Sequence, residues 1–526
     1  ELYSSRTRWM LLGAQRACRS PLLILLTSLL LNCVPATSVH AQAAGDLDAP
    51  EVRALWVDAF HDGFKNPRQV EQLIADAKRG NFNTLIVEVR RRGDAYFQNR
   101  VEPRAEDADL APGFDALQYV IDKAHASEPR IEVHAWISTM PIWSKKDALP
   151  VDPDHVMNRH GPGTDGGDYW LMRRDDGETW EGEGFDLDPG NPDAANHIVN
   201  VAASLVQSYD IDGLHLDRVR YPEGSPAQKR WGYNMASVAR FNDRYQRTGS
   251  PDPNDPLWGD WRREQATDLV RRIYVESMAI KPRLKLSAAV IPWGRNPTSD
   301  ADWVRTSAYS NVFQDWRAWL NEGILDLAIP MNYSREDNPA QKQWFDGWIQ
   351  WNKDQPNNRQ VAMGLGAYLN SPSATLDQVQ RVRSAASPSG RIAGVSLYSY
   401  AISNQTQTNA DPTDDVGSSR MLSAMAVADS SLGRSSLFNR PAPIPEMSWK
   451  SASDRGHLML SLGRDWDGSR VKLIGQESRN QIADGNGFAG FVDLPIGEYE
   501  VTVEHPAFGT KRLAGEVTAG HVARVD

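Results

Sequence analysis

The run Asp212–Pro222, read as DGLHLDRVRYP, sets two carboxyls, an imidazole, two guanidinium groups and a phenol within a few residues of one another. In an extended chain successive side chains alternate, so His215 and Asp217 share a face. A carboxylate ending a strand, with Arg218 and Arg220 close by to keep it ionised, suits the nucleophile or base in cleavage of a sugar acetal. The plainer alternative is an Asp217–Arg ion pair that only fixes the next loop. His215, Arg220 and Tyr221 are candidate substrate contacts beside it. Glycosidic cleavage needs a second carboxyl. The run Glu88-Val89-Arg90-Arg91-Arg92-Gly93-Asp94 offers Glu88 as the candidate acid, with Arg90 on its face and Asp94 past a glycine. Arg90 and Asp94 are candidate ligands for sugar hydroxyls, although a Glu–Arg pair is also an ordinary core element. His134 and Trp136 share a face in VHAWIS; His134 reads equally well as a satisfied buried imidazole or as a ligand. Asn332, Tyr333 and Glu336, then Tyr398 and Tyr400, add polar and aromatic groups suited to a neutral sugar. Asp94 and Glu336 are the weaker alternatives to Glu88 as partner carboxyl.

Other chemistries find little support. There is no glycine-rich phosphate loop with a lysine, no HExxH zinc helix and no GxSxG nucleophile turn. The run Asp186–Asn191 lacks the spacing of a calcium loop and reads as a cap and turn ahead of a helix. Neither a metal nor a cofactor is called for. A formal charge of −11 with no long Lys/Arg run argues against nucleic acid as a partner. Eighteen Trp and fifteen Tyr provide flat faces that can stack on sugar rings, though core packing is their commoner use.

These groups need a scaffold that gathers strand ends. Eight β-rich runs alternate with amphipathic helical stretches: Val52–Phe60, Thr84–Arg90, Ile131–Ser138, Asp212–Asp217, Lys285–Ile291, Leu325–Asn332, Val361–Ala367 and Gly394–Tyr398. Helical periodicity in Pro67–Arg79 and Asp193–Tyr209 completes the pattern. It predicts an α/β fold, a (β/α)₈ TIM barrel over 50–430, with active groups at the C-terminal strand ends. The polar stretch Met157–Asp188, with Trp170 and Trp180, is too long for a minimal loop and is expected over the barrel mouth. Pro441, Pro443 and Pro445 mark a linker over 431–447. Alternating runs over 448–526 predict a small all-β, immunoglobulin-like sandwich as an accessory domain. At the other end, Arg6, Arg8, Arg16 and Arg19 precede the apolar run Pro21–Leu31, and small residues follow to Ala41. This is the layout of a cleaved secretory signal over 1–41, so a secreted or periplasmic protein is expected. Asn32 ahead of Cys33 makes a poor lipoprotein signal. The apolar run falls short of the about 20 residues of a membrane span, so no transmembrane segment is expected in the mature chain. Cleavage after Ala41 removes four Arg, one Glu and both cysteines, Cys18 and Cys33, taking the formal charge from −11 to −14.

Taken together, EVRALWVD, FNTLIVEVRRRGDAYF, VHAWIS, LDPGNPDAANHIV, YDIDGLHLDRVRYP and AIPMNY, in this order, resemble glycoside hydrolase-like family 10, bacterial exported barrels also described as a domain of unknown function, over about residues 50–400. The stretch GFAGFVDLPIGEYEVTVEHPAF is similar to carboxypeptidase-regulatory or PEGA-like modules. The family resemblance implies an exported glycoside hydrolase acting on an envelope polysaccharide, and peptidoglycan strands stripped of stem peptides in particular. It is a partial guide to residues. Family 18 chitinases carry DGxDxDxE on strand four; here Asp212 and Asp217 fit, but His215 replaces the middle acid and Val219 stands at the acid position. Barrels of the α-amylase type place a nucleophile where Asp217 stands and an acid on strand five, where Ile291-Pro292-Trp293-Gly294-Arg295 has no carboxyl. A glycan-binding protein or envelope scaffold on a degenerate barrel is therefore the competing expectation, with an envelope protein as partner of the C-terminal module.

Overall fold

The computed structural model describes residues 48–525 apart from 99, 224–229, 386–391, 406–421, 428–435 and 452–453. The expected leader over 1–41, with Cys18 and Cys33, and the start of the expected linker at 431–435 lie outside the described residues.

Eight parallel strands close into a barrel in chain order. They are β1 (Val52–Val57), β2 (Thr84–Arg90), β3 (Glu132–Ser138), β4 (Gly213–Asp217), β5 (Lys285–Val290), β6 (Leu327–Asn332), β7 (Gln360–Gly366) and β8 (Ile392–Tyr398). Alternation along each strand builds two cores. Outward residues such as Leu55, Val57, Leu85 and Val87 pack beneath the helices, while Ala54, Trp56, Ile86, Trp136, Ala289 and Ile329 fill the lumen. Helix α1 (Pro67–Arg79) shows how a crossover is specified. Asn66 caps it by accepting from the Gln69 N–H, Pro67 opens it, and Val70, Leu73, Ile74 and Ala77 form the buried stripe. Each such Val, Leu or Ile contributes about 1.5–3 kcal/mol by leaving water.

Two lumenal glycines make room for large rings. A Cβ on Gly213 would lie 2.5 Å from the His134 ring, and one on Gly364 would lie 2.9 Å from the Trp56 indole. The sequence pattern explains the strands; these gaps decide how the interior is filled.

After the barrel, seven strands form two facing sheets around a second core. One has three strands, Phe488–Pro495, Arg455–Ser461 and Val522–Val525; the other has four, Ser478–Ile482, Arg470–Ile474, Gly497–His505 and Gly509–Val517. The last strand runs parallel to its neighbour, Leu458 pairing with Ala523. This module docks on the barrel's flank and N-terminal end. Asp467 forms a two-pronged ion pair with Arg240 at 2.6 and 2.8 Å, Arg359 pairs with Asp493, and Phe488 joins the core beneath the helices. The proline-marked stretch is docked too: the Asp48 and Glu51 N–H groups donate to the Pro441 and Pro443 carbonyls at 2.9 Å. All of this lies away from the C-terminal strand ends. Among the described residues no helix is long and apolar enough to cross a membrane.

Candidate active site

The strand ends surround a cavity of about 500 Å³, within the usual range for a small-molecule site. Its floor and walls are aromatic: Trp56 from β1, Trp136 from β3, Tyr333 just past β6 and Tyr398 from β8. Tyr333 and Tyr398 stack at 5.6 Å between ring centroids, and Trp56 meets both edge-on. Such faces match the apolar faces of pyranose rings.

Glu88 and Asp217 both open into this cavity. Glu88 is 1% exposed. Its Oε2 accepts the Ala59 N–H at 2.8 Å and its Oε1 lies 2.9 Å from the Ser138 hydroxyl. Burial pushes its pKa up to about 8, with the Asp58 carboxylate adding to the rise and the Ala59 N–H and Arg91 opposing it. At neutral pH the group is therefore a proton donor. Asp217 keeps part of its surface open to the cavity. Burial raises its pKa too, but the Arg220 and Arg218 charges and the Arg218 N–H, donating to Oδ1 at 2.7 Å, work the other way. One carboxyl is thus held neutral by a dry site, and the other faces two guanidinium groups.

A chain of hydrogen bonds fixes the floor. The Trp56 indole N–H donates to His215 Nε2 at 3.1 Å, which leaves His215 Nδ1 to carry the proton toward Ser287 Oγ at 2.9 Å. Burial, reinforced by His134, drives the His215 pKa far down, so the ring is neutral and this tautomer is stable.

The long insertion reaches the mouth. Pro141–Trp143 pairs with Phe185–Asp186, which carries Glu181 and Glu183 to the cavity rim. Arg218 holds them there at 3.0 and 2.9 Å. Its backbone adopts φ of +51°, a left-handed conformation that costs a non-glycine residue about 1–2 kcal/mol. Trp170 and Trp180 pack within the insertion, on His160 and Phe185, and do not line the cavity.

Of the residues singled out in the sequence, the cavity gathers Asp217, Glu88, Trp136, Arg220, Tyr333 and Tyr398. The others stand elsewhere. Arg90 is turned away to a two-pronged pair with Glu102 at 2.7 and 2.8 Å, because the β2–β3 register shifts between Glu88 and Arg90. Asp94 is buried, accepting the Arg92 N–H at 3.0 Å. His134 and His215 point into the lumen but lie below the cavity, linked through Ser287. Tyr221 packs on Phe313 in a separate apolar cluster. Asn332 alternates to the face opposite Met331 and Tyr333 and is buried outside the lumen. Glu336 is tied to Arg381, to Lys342 at 3.2 Å and to Gln378 at 3.1 Å, which together hold its pKa down. Tyr400 donates to Asp76 at 2.9 Å beneath the helices. Asp212, at the start of β4, is at the opposite end of the barrel, held by His125 and Arg130 at 2.9 and 2.7 Å.

Several cavity groups are not among the candidates singled out in the sequence: Trp56, Phe60, Ser138, Trp143, Glu181 and Glu183. Asp58 also matters. Burial would raise its pKa, but His61, 2.7 Å away, outweighs that and keeps it ionised next to Glu88. The strand-end position of Asp58 and Trp56 in EVRALWVD was the available clue. Among the described residues no group of three or more His, Cys, Asp or Glu is arranged to hold a metal ion.

This barrel can be set beside known proteins. Glycosyl hydrolase YngK of Bacillus subtilis (strain 168) is 25% identical over 371 residues, covering 67% of this chain and 66% of the relative. Glycosyl hydrolase DigH of Escherichia coli (strain K12) is 25% identical over 315 residues, 56% of this chain and 65% of the relative. The chain thus spans just under two thirds of the length of these curated relatives. The solved glycoside hydrolase domain of PgaB (BpsB) from Bordetella bronchiseptica aligns with 71% of this chain and 98% of its own at a TM-score of 0.48 and 14% identity. Residues 51–379 match the family model described as Glycosyl hydrolase-like 10. The chain belongs to the glycosyl hydrolase-like 10 family.

Proposed function

We propose that the protein is an exported glycoside hydrolase that cleaves the sugar backbone of a bacterial envelope polysaccharide, with peptide-free peptidoglycan strands as its substrate. The observation that carries this reading is Glu88: a carboxyl with almost no exposure, kept protonated at neutral pH and opening into the same aromatic cavity as Asp217. A carboxyl kept neutral beside a second carboxyl that faces two guanidinium groups is the pairing acetal cleavage requires. Glu88 donates its proton to the departing glycosidic oxygen as the anomeric C–O bond breaks. Asp217 either bonds to the anomeric carbon or takes a proton from the attacking water. Trp56, Trp136, Tyr333 and Tyr398 hold the ring between them, and Glu181 and Glu183 stand at the entrance. The choice of glycan rests on the family resemblance alone; the curated relatives named glycosyl hydrolases support glycosidic cleavage.

Export rests on the arrangement of residues 1–41, and fractionation of a producing cell with N-terminal sequencing of the mature chain tests it. Incubation of the full chain with peptide-free peptidoglycan strands should release fragments with new reducing ends, detected by mass spectrometry. A folded protein that releases none after prolonged incubation removes the reading and leaves the glycan-binding alternative.

A further inference from the structure

The four residues that follow β1 are folded by one side chain. Asp58 is buried, and its Oδ1 accepts the Phe60 N–H at 3.0 Å and the His61 N–H at 3.1 Å and lies 2.7 Å from His61 Nδ1. Aspartate suits such a turn because its carboxyl reaches the backbone two residues on. The turn delivers two groups to the cavity. Its Ala59 N–H donates to Glu88 Oε2 at 2.8 Å, and its Phe60 ring stands at the rim with the Arg91 guanidinium 3.5 Å over its face. An N–H aimed at Oε2 leaves the proton of a neutral Glu88 to Oε1, which lies 2.9 Å from the Ser138 hydroxyl on the cavity wall. The other Asp58 oxygen, Oδ2, is buried with Ser399 close by and forms no hydrogen bond among the described residues. Its negative charge is thus offset mainly from the His61 side.

We propose that Asp58 is a positioning residue for Glu88: it shapes the turn that pins one Glu88 oxygen and sets a fixed negative charge beside it, so that the proton is held on the other oxygen for the leaving group. The inference rests on the glycosidase reading and deepens it. Glu88 is faced by Asp58 from the end of β1, by Arg91 from beyond β2 and by Ser138 from β3, while Tyr398 and Asp217 line the same cavity. His61 is faced by Asp58, Lys65 and Arg91. Burial is the first cause that keeps the proton on Glu88, and Asp58 works with it, against the Ala59 N–H and Arg91. The turn therefore does two opposed things at once. Its N–H orients the acid, and its carboxylate offsets the loss of proton affinity that this N–H brings.

The test reads the Glu88 proton apart from turnover. In the full chain, the infrared C=O stretch of the protonated Glu88 carboxyl is the band that Glu88→Gln lacks, and its loss with rising pH should have a midpoint near the value of about 8. Asp58→Asn keeps the Oδ1 acceptor of the turn and removes the charge, so the midpoint should fall by about one unit. The same shift should lower kcat/KM roughly fivefold at pH 8 and leave it within about twofold of the parent at pH 6, with KM unchanged. A purely structural role predicts equal losses at both pH values and an unmoved midpoint, and that result overturns the proposal. Asp58→Ser, which also offers a turn-forming oxygen without charge, gives the same reading should Asp58→Asn fail to fold. His61→Asn removes a cation from the far side of Asp58 and should leave the midpoint in place or raise it; a fall overturns the proposal. Turnover by the parent is read independently. A shifted midpoint with no cleavage by the parent supports the coupling and removes the hydrolase. Cleavage by the parent with an unmoved midpoint in Asp58→Asn keeps the hydrolase and overturns the role of Asp58.

Discussion

Glu88→Gln should separate the proton-donor role of this residue from its place in the fold. A protonated Glu88 accepts the Ala59 N–H through one oxygen and can donate to the Ser138 hydroxyl through the other. A glutamine amide reproduces both contacts, so the variant should fold. Its stability should respond to pH differently. The folded-state pKa of Glu88 is raised from 4.5 to about 8, so the unfolded chain releases this proton first. The neutral acid costs nothing below about pH 4.5; between about 4.5 and 8 each pH unit removes about 1.4 kcal/mol of stability, and above about 8 the loss is complete. That rise corresponds to at most about 5 kcal/mol. Glutamine does not titrate. Urea denaturation of parent and variant at pH 5 and pH 8 should therefore show the variant gaining on the parent by several kcal/mol at the higher pH. Turnover should fall by roughly 10²–10⁴-fold, and a glycoside with an activated aryl leaving group, which needs no proton, should recover most of it. Parallel stability curves for the two proteins would refute a neutral Glu88, and undiminished turnover on the natural glycan would refute its role as acid.

Three further outcomes follow from the same geometry. The pH profile of kcat/KM should decline as pH rises through about 8, where Glu88 loses its proton, and its acid limb should lie above the ordinary aspartate value of 3.8 because burial raises Asp217; an alkaline limb unmoved by Glu88→Gln would contradict the assignment. Arg90→Gln leaves Glu102 buried without its guanidinium partner and should cost about 3–5 kcal/mol in denaturation, with KM unchanged for the folded fraction, whereas a raised KM at full stability would restore Arg90 to the substrate. Gly213→Ala drives a methyl into the His134 ring and should cost about 1–3 kcal/mol; a melting temperature equal to the parent's would show that the lumen has slack there.

The barrel was legible because its strands obey a simple rule. Residues buried on both faces read as continuous apolar runs, and the alternation that put His215 beside Asp217 holds in the structure. Depth along the strand was harder. His134 and His215 share the lumen with Trp136 and Asp217, yet each sits two residues lower and packs into the floor. Arg90 was misplaced for a different reason. Strict alternation puts it with Glu88, but the register shift between them turns it to Glu102. Asn332 could have been excluded, since its parity opposes that of Tyr333. Glu181 and Glu183 had no local signal. Their position depends on the pairing of Pro141–Trp143 with Phe185–Asp186 and on an arginine in a left-handed conformation, both set by contacts distant in sequence. The clustering of Arg91 and Arg92 was visible, but not the rings that back them.

If Asp217 and Glu88 act together on a glycosidic bond, Asp217→Asn should abolish cleavage. The substitution keeps size and shape while removing the acidic group that faces Arg218 and Arg220. Parent and variant, matched for folding by circular dichroism, are incubated with peptide-free peptidoglycan strands and new reducing ends are counted. The parent should release them steadily and the variant about a thousandfold more slowly or worse, the scale of removing an essential catalytic group. Equal release by a folded Asp217→Asn protein would contradict it.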